Sequence, residues 1–174
     1  MTTVILFSVD PKSRGEYEEF SNFHPCKLKI DGVKYATTEH YFQSQKFVYE
    51  GATPRTLEYA RIIATQSTPY KTKILGKQQK TRYNYPWAKL LHNIIDEYSD
   101  VEMNPEWDEV KNEVMRKAII CKFTQNPRLR ELLLSTTAPL IENNRTDPYW
   151  GCGPDGNGLN TLGKILSEVR ESMR

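Results

Sequence analysis

Four times between residues 54 and 127 a proline heads a segment whose apolar residues recur at helical spacing: Pro54, Pro69, Pro105 and Pro127. Proline has a fixed φ and no N–H, so the first turn of a helix accommodates it, while a helix interior or central strand does not. The middle of the chain is therefore committed to successive helices with set starting points. Asn104-Pro105 and Asn126-Pro127 repeat one start signal, a capping side chain followed by proline at the first helical position. The segment from Pro54 carries Leu57, Ala60, Arg61 and Ala64, and the one from Pro69 is expected to stop at Gly76. The segment from Pro105 runs to about Phe123, with Trp107, Val110, Val114, Met115, Ala118 and Ile119 on its apolar side. Leu90, Leu91, Ile94 and Ile95 form a further helical stripe.

Strand signals sit at the margins. Residues 3–8 read as a short strand, and 139–142 as another. Cys26–Ile30 and Val33–Ala36 flank Asp31-Gly32, a strong signal for a two-residue hairpin turn. Thr37 or Thr38 caps a helix expected to run to about Tyr49, and a last helix spans about Thr161–Ser172 after a glycine-rich loop. The expected fold class is α+β and predominantly helical: one domain over 1–174, with a small N-terminal β-hairpin or sheet and that loop before the last helix. At 174 residues such a domain buries roughly 70% of its unfolded surface without covalent staples.

Composition removes several classes of function. Lys+Arg 24 against Asp+Glu 22 leaves +2, too little to announce a nucleic acid or membrane by total charge. No apolar run approaches a membrane span, and the N-terminal segment lacks the basic region and cleavage site of a secretory signal. Cys26, Cys121 and Cys152 are odd in number, widely spaced and without a CxxC pair, which favours a reducing, cytoplasmic setting over a disulfide framework or zinc site. His24, His40 and His92 show no HExxH spacing, so catalysis is expected without a metal or other cofactor. The charge is nevertheless segregated. Residues 59–95 hold seven Lys/Arg and no acid, and residues 96–109 hold seven acids and no Lys or Arg. Such a pattern makes either a solvated basic face beside an acidic one or a basic lip that draws in a phosphorylated ligand.

Two segments carry groups suited to chemistry. Glu39, Gln43 and Lys46 stand at i, i+4 and i+7, within a narrow arc of one helix face, with Phe42 and Phe47 flanking them. A carboxylate, an amide and an ammonium bordered by rings form either a polar pocket wall or an ordinary solvent-facing stripe. The second segment, 147–163, reads DPYWGCGPDGNGLNTLG and holds five of the nine glycines. Its G-x-G-x-x-G match is not a dinucleotide fingerprint, because Pro154 falls inside it and no long βαβ unit surrounds it. Glycines there permit backbone N–H groups to approach a ligand just ahead of a helix N-terminus, or simply make a tight surface turn. Each tryptophan (Trp87, Trp107, Trp150) is by itself either core or a stacking platform, and Cys121 reads as packing.

The runs FSNFHPCKLKIDGVKYATTEHYFQSQKF, NEVMRKAIICKFTQNPRLRELLLST and DPYWGCGPDGNGLNTLGKILSEVR closely resemble the YbiA-like, or NADAR, family. The likeness covers roughly 18–82 and 105–172, while 83–104 looks longer than the family's usual connection and is expected to be a variable insertion. The resemblance implies a small, mainly helical α+β domain that hydrolyses N-glycosidic bonds. Some members split early riboflavin-pathway intermediates into ribose 5-phosphate and an aminopyrimidine, and others remove ADP-ribose from guanine bases. By motif, it implies that Glu39 is the catalytic glutamate, with Lys46 and Asp147 as further catalytic groups. It matches Trp107 and Trp150 as substrate-binding residues by motif, and with Gln43 of the stripe, Arg82, and Gly151, Asn157 and Asn160 of the loop as further candidate binding residues the polar stripe and the glycine loop become two walls of one pocket. The partner expected is a small phosphorylated riboside, alternatively an ADP-ribosylated guanine, with no membrane and no obligatory protein partner. A silent nucleotide-binding module and a helical interaction protein are the competing classes. The pairing of Glu39 with Lys46 on one face argues against the binding module, since binding alone needs no base and nucleophile together, while an interaction protein would show an exposed apolar patch without a polar pocket.

Overall fold

A computed structural model describes residues 4–8 and 17–174, so the first residue of the expected N-terminal strand lies outside the described residues. In chain order the elements are β1 (Ile5–Phe7), a short 3-10 turn (Glu18–Phe20), β2 (Leu28–Ile30), β3 (Val33–Tyr35), α1 (Thr38–Gln45), α2 (Pro54–Ala64) and α3 (Pro69–Lys77). They continue with α4 (Pro86–Glu97), α5 (Trp107–Gln125), α6 (Pro127–Ser135), β4 (Leu140–Glu142) and α7 (Thr161–Ser172). Two small sheets result: β2 and β3 form the antiparallel hairpin, and β1 pairs in parallel with β4, placing Phe7 opposite Glu142. The hairpin turns on Asp31 and Gly32, both at positive φ (50° and 82°), as the two-residue turn that matches strand twist requires.

Threonine and proline together set three helix starts. Thr37, Thr53 and Thr68 each accept a backbone N–H of the first turn, and Pro54 and Pro69 follow the latter two. The two Asn-Pro signals behave otherwise. Helix α5 begins at Trp107 rather than Pro105, because Asn104 bends the chain back by accepting the Glu106 N–H (2.9 Å). Asn126 does not cap α6: its side chain closes the end of α5 by donating to Lys122 O (2.7 Å), and ties it to the residue before β2, accepting from Lys27 N (3.1 Å) and donating to Lys27 O (2.7 Å).

Three hydrophobic clusters meet around α1. Phe42 enters one formed by α5, α6, α7, β1 and β4; Phe47, just past the helix, enters a second formed by α2, α3 and α4; Tyr41 packs with Leu28, Ile30 and Ala118 in a third. Every residue from Thr38 to Ser44 is buried. The helix ends at Gln45, four residues before the expected Tyr49, because Phe47 and Val48 bond back to Ser44 and Gln45. Those i→i−3 bonds tighten the chain and turn Phe47 into the second cluster. Residues 83–104 supply α4 and send Leu91, Ile95, Tyr98 and Val101 into that cluster, while Leu90, expected on the buried stripe, is 61% exposed. Helix α3 continues past Gly76 to Lys77, and Gln78 takes the left-handed cap (φ 50°). Among the described residues no helix is long and apolar enough to cross a membrane.

One side chain fixes β4 from its far edge. Asn160 accepts from Glu142 N (2.9 Å) and donates to Leu140 O (2.8 Å), standing in for a missing neighbour strand. Asn160→Ala should therefore lower unfolding free energy by about 2 kcal/mol, the scale for stranding buried backbone groups. Urea denaturation checks this, and an unchanged midpoint would show that the strap is dispensable.

Candidate active site

The polar stripe of α1 is not a solvent-facing one. Glu39 and Gln43 are 6% and 4% exposed, and with Lys46 they line a cavity of about 270 Å³. Gln43 Nε2 donates to Glu39 Oε1 (2.8 Å), which fixes the carboxylate. That amide needs Gly76 opposite it, since a Cβ there would lie 2.2 Å from Gln43 Oε1. Lys46 follows the last turn of α1 and donates to Gly76 O (3.2 Å), one of the carbonyls left free at the end of α3. Its ammonium lies 5.9 Å from the Trp107 ring centre. The remaining walls come from α3 (Lys73, Lys77), the start of α5 (Trp107, Asp108, Lys111), β4 (Glu142) and the loop after it (Asn144, Asp147, Trp150).

Aromatic rings join these walls. Phe42 packs against Trp107 (centroids 5.1 Å) and edge-on to Trp150 (5.3 Å). Trp107 is 6% exposed and belongs to the core, whereas Trp150 is half-buried. Asp147 holds the loop: its Oδ1 accepts the N–H groups of Tyr149 (3.0 Å) and Trp150 (2.9 Å). Lys111 pairs with Asp108 (2.6 Å) and lies over Tyr149 (4.1 Å).

Burial dominates the electrostatics. It raises the Glu39 carboxyl, against the pull of Lys73, the Gln43 hydrogen bond, Lys46 and Lys77. It lowers the Lys46 ammonium to about 8, helped by Lys77, Lys73 and Lys111 and opposed by Glu39. It pushes Glu142 up to about 8, and the like charges of Asp147 and Glu39 add to that.

Of the residues singled out in the sequence, the structure brings Glu39, Gln43, Lys46, Trp107, Asp147 and Trp150 to this cavity and leaves four outside it. Arg82 is exposed and sits 5.8 Å over its neighbour Tyr83. Asn157 closes its own turn on Asp155 (3.0 Å), and Asn160 is the strap on β4. Gly151 is buried against the strand end, where a Cβ would stand 2.6 Å from Asn144 Cβ, so that glycine serves packing rather than ligand approach. Trp87 is remote, stacked on Tyr85 (5.9 Å) and edge-on to Tyr70. Of the basic run, Lys73 and Lys77 reach the cavity. Glu142 escaped notice in the sequence, yet strand alternation already set it on the same face as Leu140, toward the core. Among the described residues no group of three His, Cys, Asp or Glu is placed to hold a metal.

The NADAR domain model matches residues 9–174. The chain belongs to the NADAR domain family. It is 36% identical over 159 residues to N-glycosidase YbiA of Escherichia coli K12, covering 91% of this chain and 82% of that protein. The same identity and share of this chain hold for N-glycosidase Npun_R5314 of Nostoc punctiforme, of which 86% is covered. A riboflavin biosynthesis protein of Vibrio vulnificus is 30% identical over 155 residues, covering 88% of this chain but 35% of that longer protein. The NMR structure of E. coli YbiA superposes with a TM-score of 0.70 at 34% identity, over 99% of this chain and 87% of that one.

The NADAR cavity carries a stability signature. The folded protein holds the Glu142 proton up to about pH 8, whereas the unfolded chain releases it near the ordinary 4.5, so this residue's contribution to stability is lost as pH rises across that interval. Glu142→Gln does not titrate. Its unfolding free energy relative to wild type should rise by about 2 kcal/mol or more between pH 5 and pH 8. Denaturant melts at the two pH values test this, and a constant difference would contradict it.

Proposed function

We propose that this NADAR-family chain is an N-glycosidase whose cavity hydrolyses the C–N bond of a phosphorylated aminopyrimidine riboside, of the kind met early in riboflavin synthesis. The observation that carries the reading is Glu39, buried, held by Gln43 and faced by lysines between aromatic walls. Breaking a glycosidic C–N bond builds positive charge on C1 and the ring oxygen, and negative charge on the departing base. An oriented carboxylate stabilises the first and takes a proton from water as it attacks C1. Lys73 and Lys77 enter no ion pair among the described residues and supply positive charge for a phosphate. Trp150, half-buried and backed by Phe42, offers a face to the base. The names of the E. coli and Nostoc relatives support the reaction class, and that of the Vibrio relative supports the substrate.

A cavity of about 270 Å³ is at the small end for ligand sites, which favours a single riboside phosphate over an ADP-ribosylated base. Cys26, Cys121 and Cys152 are unpaired, in keeping with a reaction carried out in the cytosol. Lys46 has two chemistries open to it: an ammonium that stabilises anionic groups, or a neutral amine that attacks C1 and forms an imine with the opened sugar.

Chromatographic measurement of ribose 5-phosphate release from the aminopyrimidine riboside tests the proposal. Wild type should turn it over faster than ADP-ribosylguanosine. Glu39→Gln should fold and lose roughly 10²–10⁴-fold in kcat, the scale of one positioned acid or base. Activity within a few-fold of wild type would remove Glu39 from the mechanism. Trp150→Ala should weaken substrate binding by ~1–3 kcal/mol, the value of one base–aromatic contact. Trp107→Ala should in addition lose about 3 kcal/mol of stability, because that ring fills the core. Borohydride added during turnover separates the two roles of Lys46, since only an imine leaves a ribosyl adduct on its peptide.

A further inference from the structure

Two buried side-chain atoms lack a hydrogen-bond partner among the described residues, Gln43 Oε1 and Glu142 Oε2, and both residues line the catalytic cavity. Unpaired buried acceptors are rare enough to need a reason. For Gln43 the reason is its neighbour, because the amide is spent on Glu39. Glu142 has no such excuse. It is the last residue of β4, on the core face shared with Leu140, and is 5% exposed. Its backbone is clamped on both sides: the N–H donates to Asn160, and the carbonyl accepts from Asn144 and Cys152. The side chain is thus delivered to the cavity by a rigid strand end, with its buried Oε2 unpartnered among the described residues.

The charged surroundings of the two glutamates differ in sign. Glu39 is faced by Lys73, Lys46 and Lys77 and receives a donated hydrogen bond, all of which favour its ionised form. Glu142 is faced by Asp147 from the following loop and Glu39 from α1, with Lys73 of α3 the one cation acting on it. Lys111 of α5 acts on Lys46 across the cavity and not on Glu142. Two carboxyl groups in one cavity are thereby given opposite neighbours, lysines and an amide around Glu39 and acids around Glu142.

We infer that Glu142 is the general acid of this site, its carboxyl proton passing to the base nitrogen as the C1–N bond breaks. This rests on the N-glycosidase reading above. The electron pair of the C1–N bond stays with nitrogen, which takes the Glu142 proton and leaves as the neutral amine. Water's oxygen bonds to C1, and its surplus proton goes to Glu39. Glu142 ends as carboxylate and Glu39 as acid, and proton exchange with solvent during product release restores both. Burial and the neighbouring acids keep the proton on Glu142 at neutral pH. Asp147, expected to do this work, has Oδ1 committed to the N–H groups that shape the Trp150 loop.

A leaving-group comparison tests the assignment. Wild type and Glu142→Gln are each given the aminopyrimidine riboside phosphate, whose departing amine must be protonated, and 4-nitrophenyl riboside 5-phosphate, whose departing phenolate need not be. The variant should lose 10²–10⁴-fold in kcat on the first and less than about tenfold on the second. Infrared spectra at pH 7 should show a protonated carboxyl band in wild type that Glu142→Gln lacks. Equal losses on both substrates would make Glu142 a positioning residue, and an undiminished rate or an absent band would equally overturn the acid role. A wild type that releases ribose 5-phosphate from neither compound sinks the hydrolase reading and the acid role together. Wild-type turnover with no deficit in the variant sinks the acid role alone.

Discussion

A helix buried on every side must set its polar side chains against one another or into a cavity, and α1 does both. Its rings distribute themselves among the three hydrophobic clusters, so the orientation of the helix is settled by packing. Glu39, Gln43 and Lys46 are then left on the one side that no cluster occupies. Holding a carboxylate there costs solvation, which the Gln43 hydrogen bond and the surrounding lysines offset. The close approach of Gly76 to Gln43 ties α3 to this arrangement and brings Lys73 and Lys77 to the rim. The site is thus a consequence of how α1 is packed, with no separate scaffold.

The opposite wall follows from the β1–β4 pair, whose partners are far apart in sequence. Two strands of three residues are too short to be stable alone. Leu140 anchors β4 in the core, Asn160 bonds its free edge, and the glycines after Trp150 let the loop lie against its end. Rigidity at that strand end is what allows an ionisable side chain to stand buried in the cavity at a defined place. Low exposure then raises the affinity of both glutamates for a proton, while lysines surround Glu39 and acids adjoin Glu142.

Much of the fold was legible in local signals. The hairpin at Asp31-Gly32, the threonine- and proline-led helices and the span of α7 all depend on backbone chemistry within a few residues. The stripe of Glu39, Gln43 and Lys46 was equally visible, but its burial was not, because only distant elements decide whether a polar face meets solvent. The same limit explains Leu90 and Asn126, whose roles depend on what lies across from them. Glycines near Trp150 left ligand approach and a tight turn open, and of these Gly151 relieves crowding at the end of β4. Glu142 was hidden by the brevity of its strand: alternation over three residues sets a face but does not reveal a cavity.

A crystal structure of Glu39→Gln holding the intact aminopyrimidine riboside phosphate tests the central claim most directly. C1 should lie beside the residue-39 amide, with the base against Trp150, its glycosidic nitrogen within hydrogen-bond reach of Glu142, and the phosphate at Lys73 and Lys77. A riboside bound instead along Arg82 and the rings of residues 83–87, with the α1 cavity empty, would contradict it.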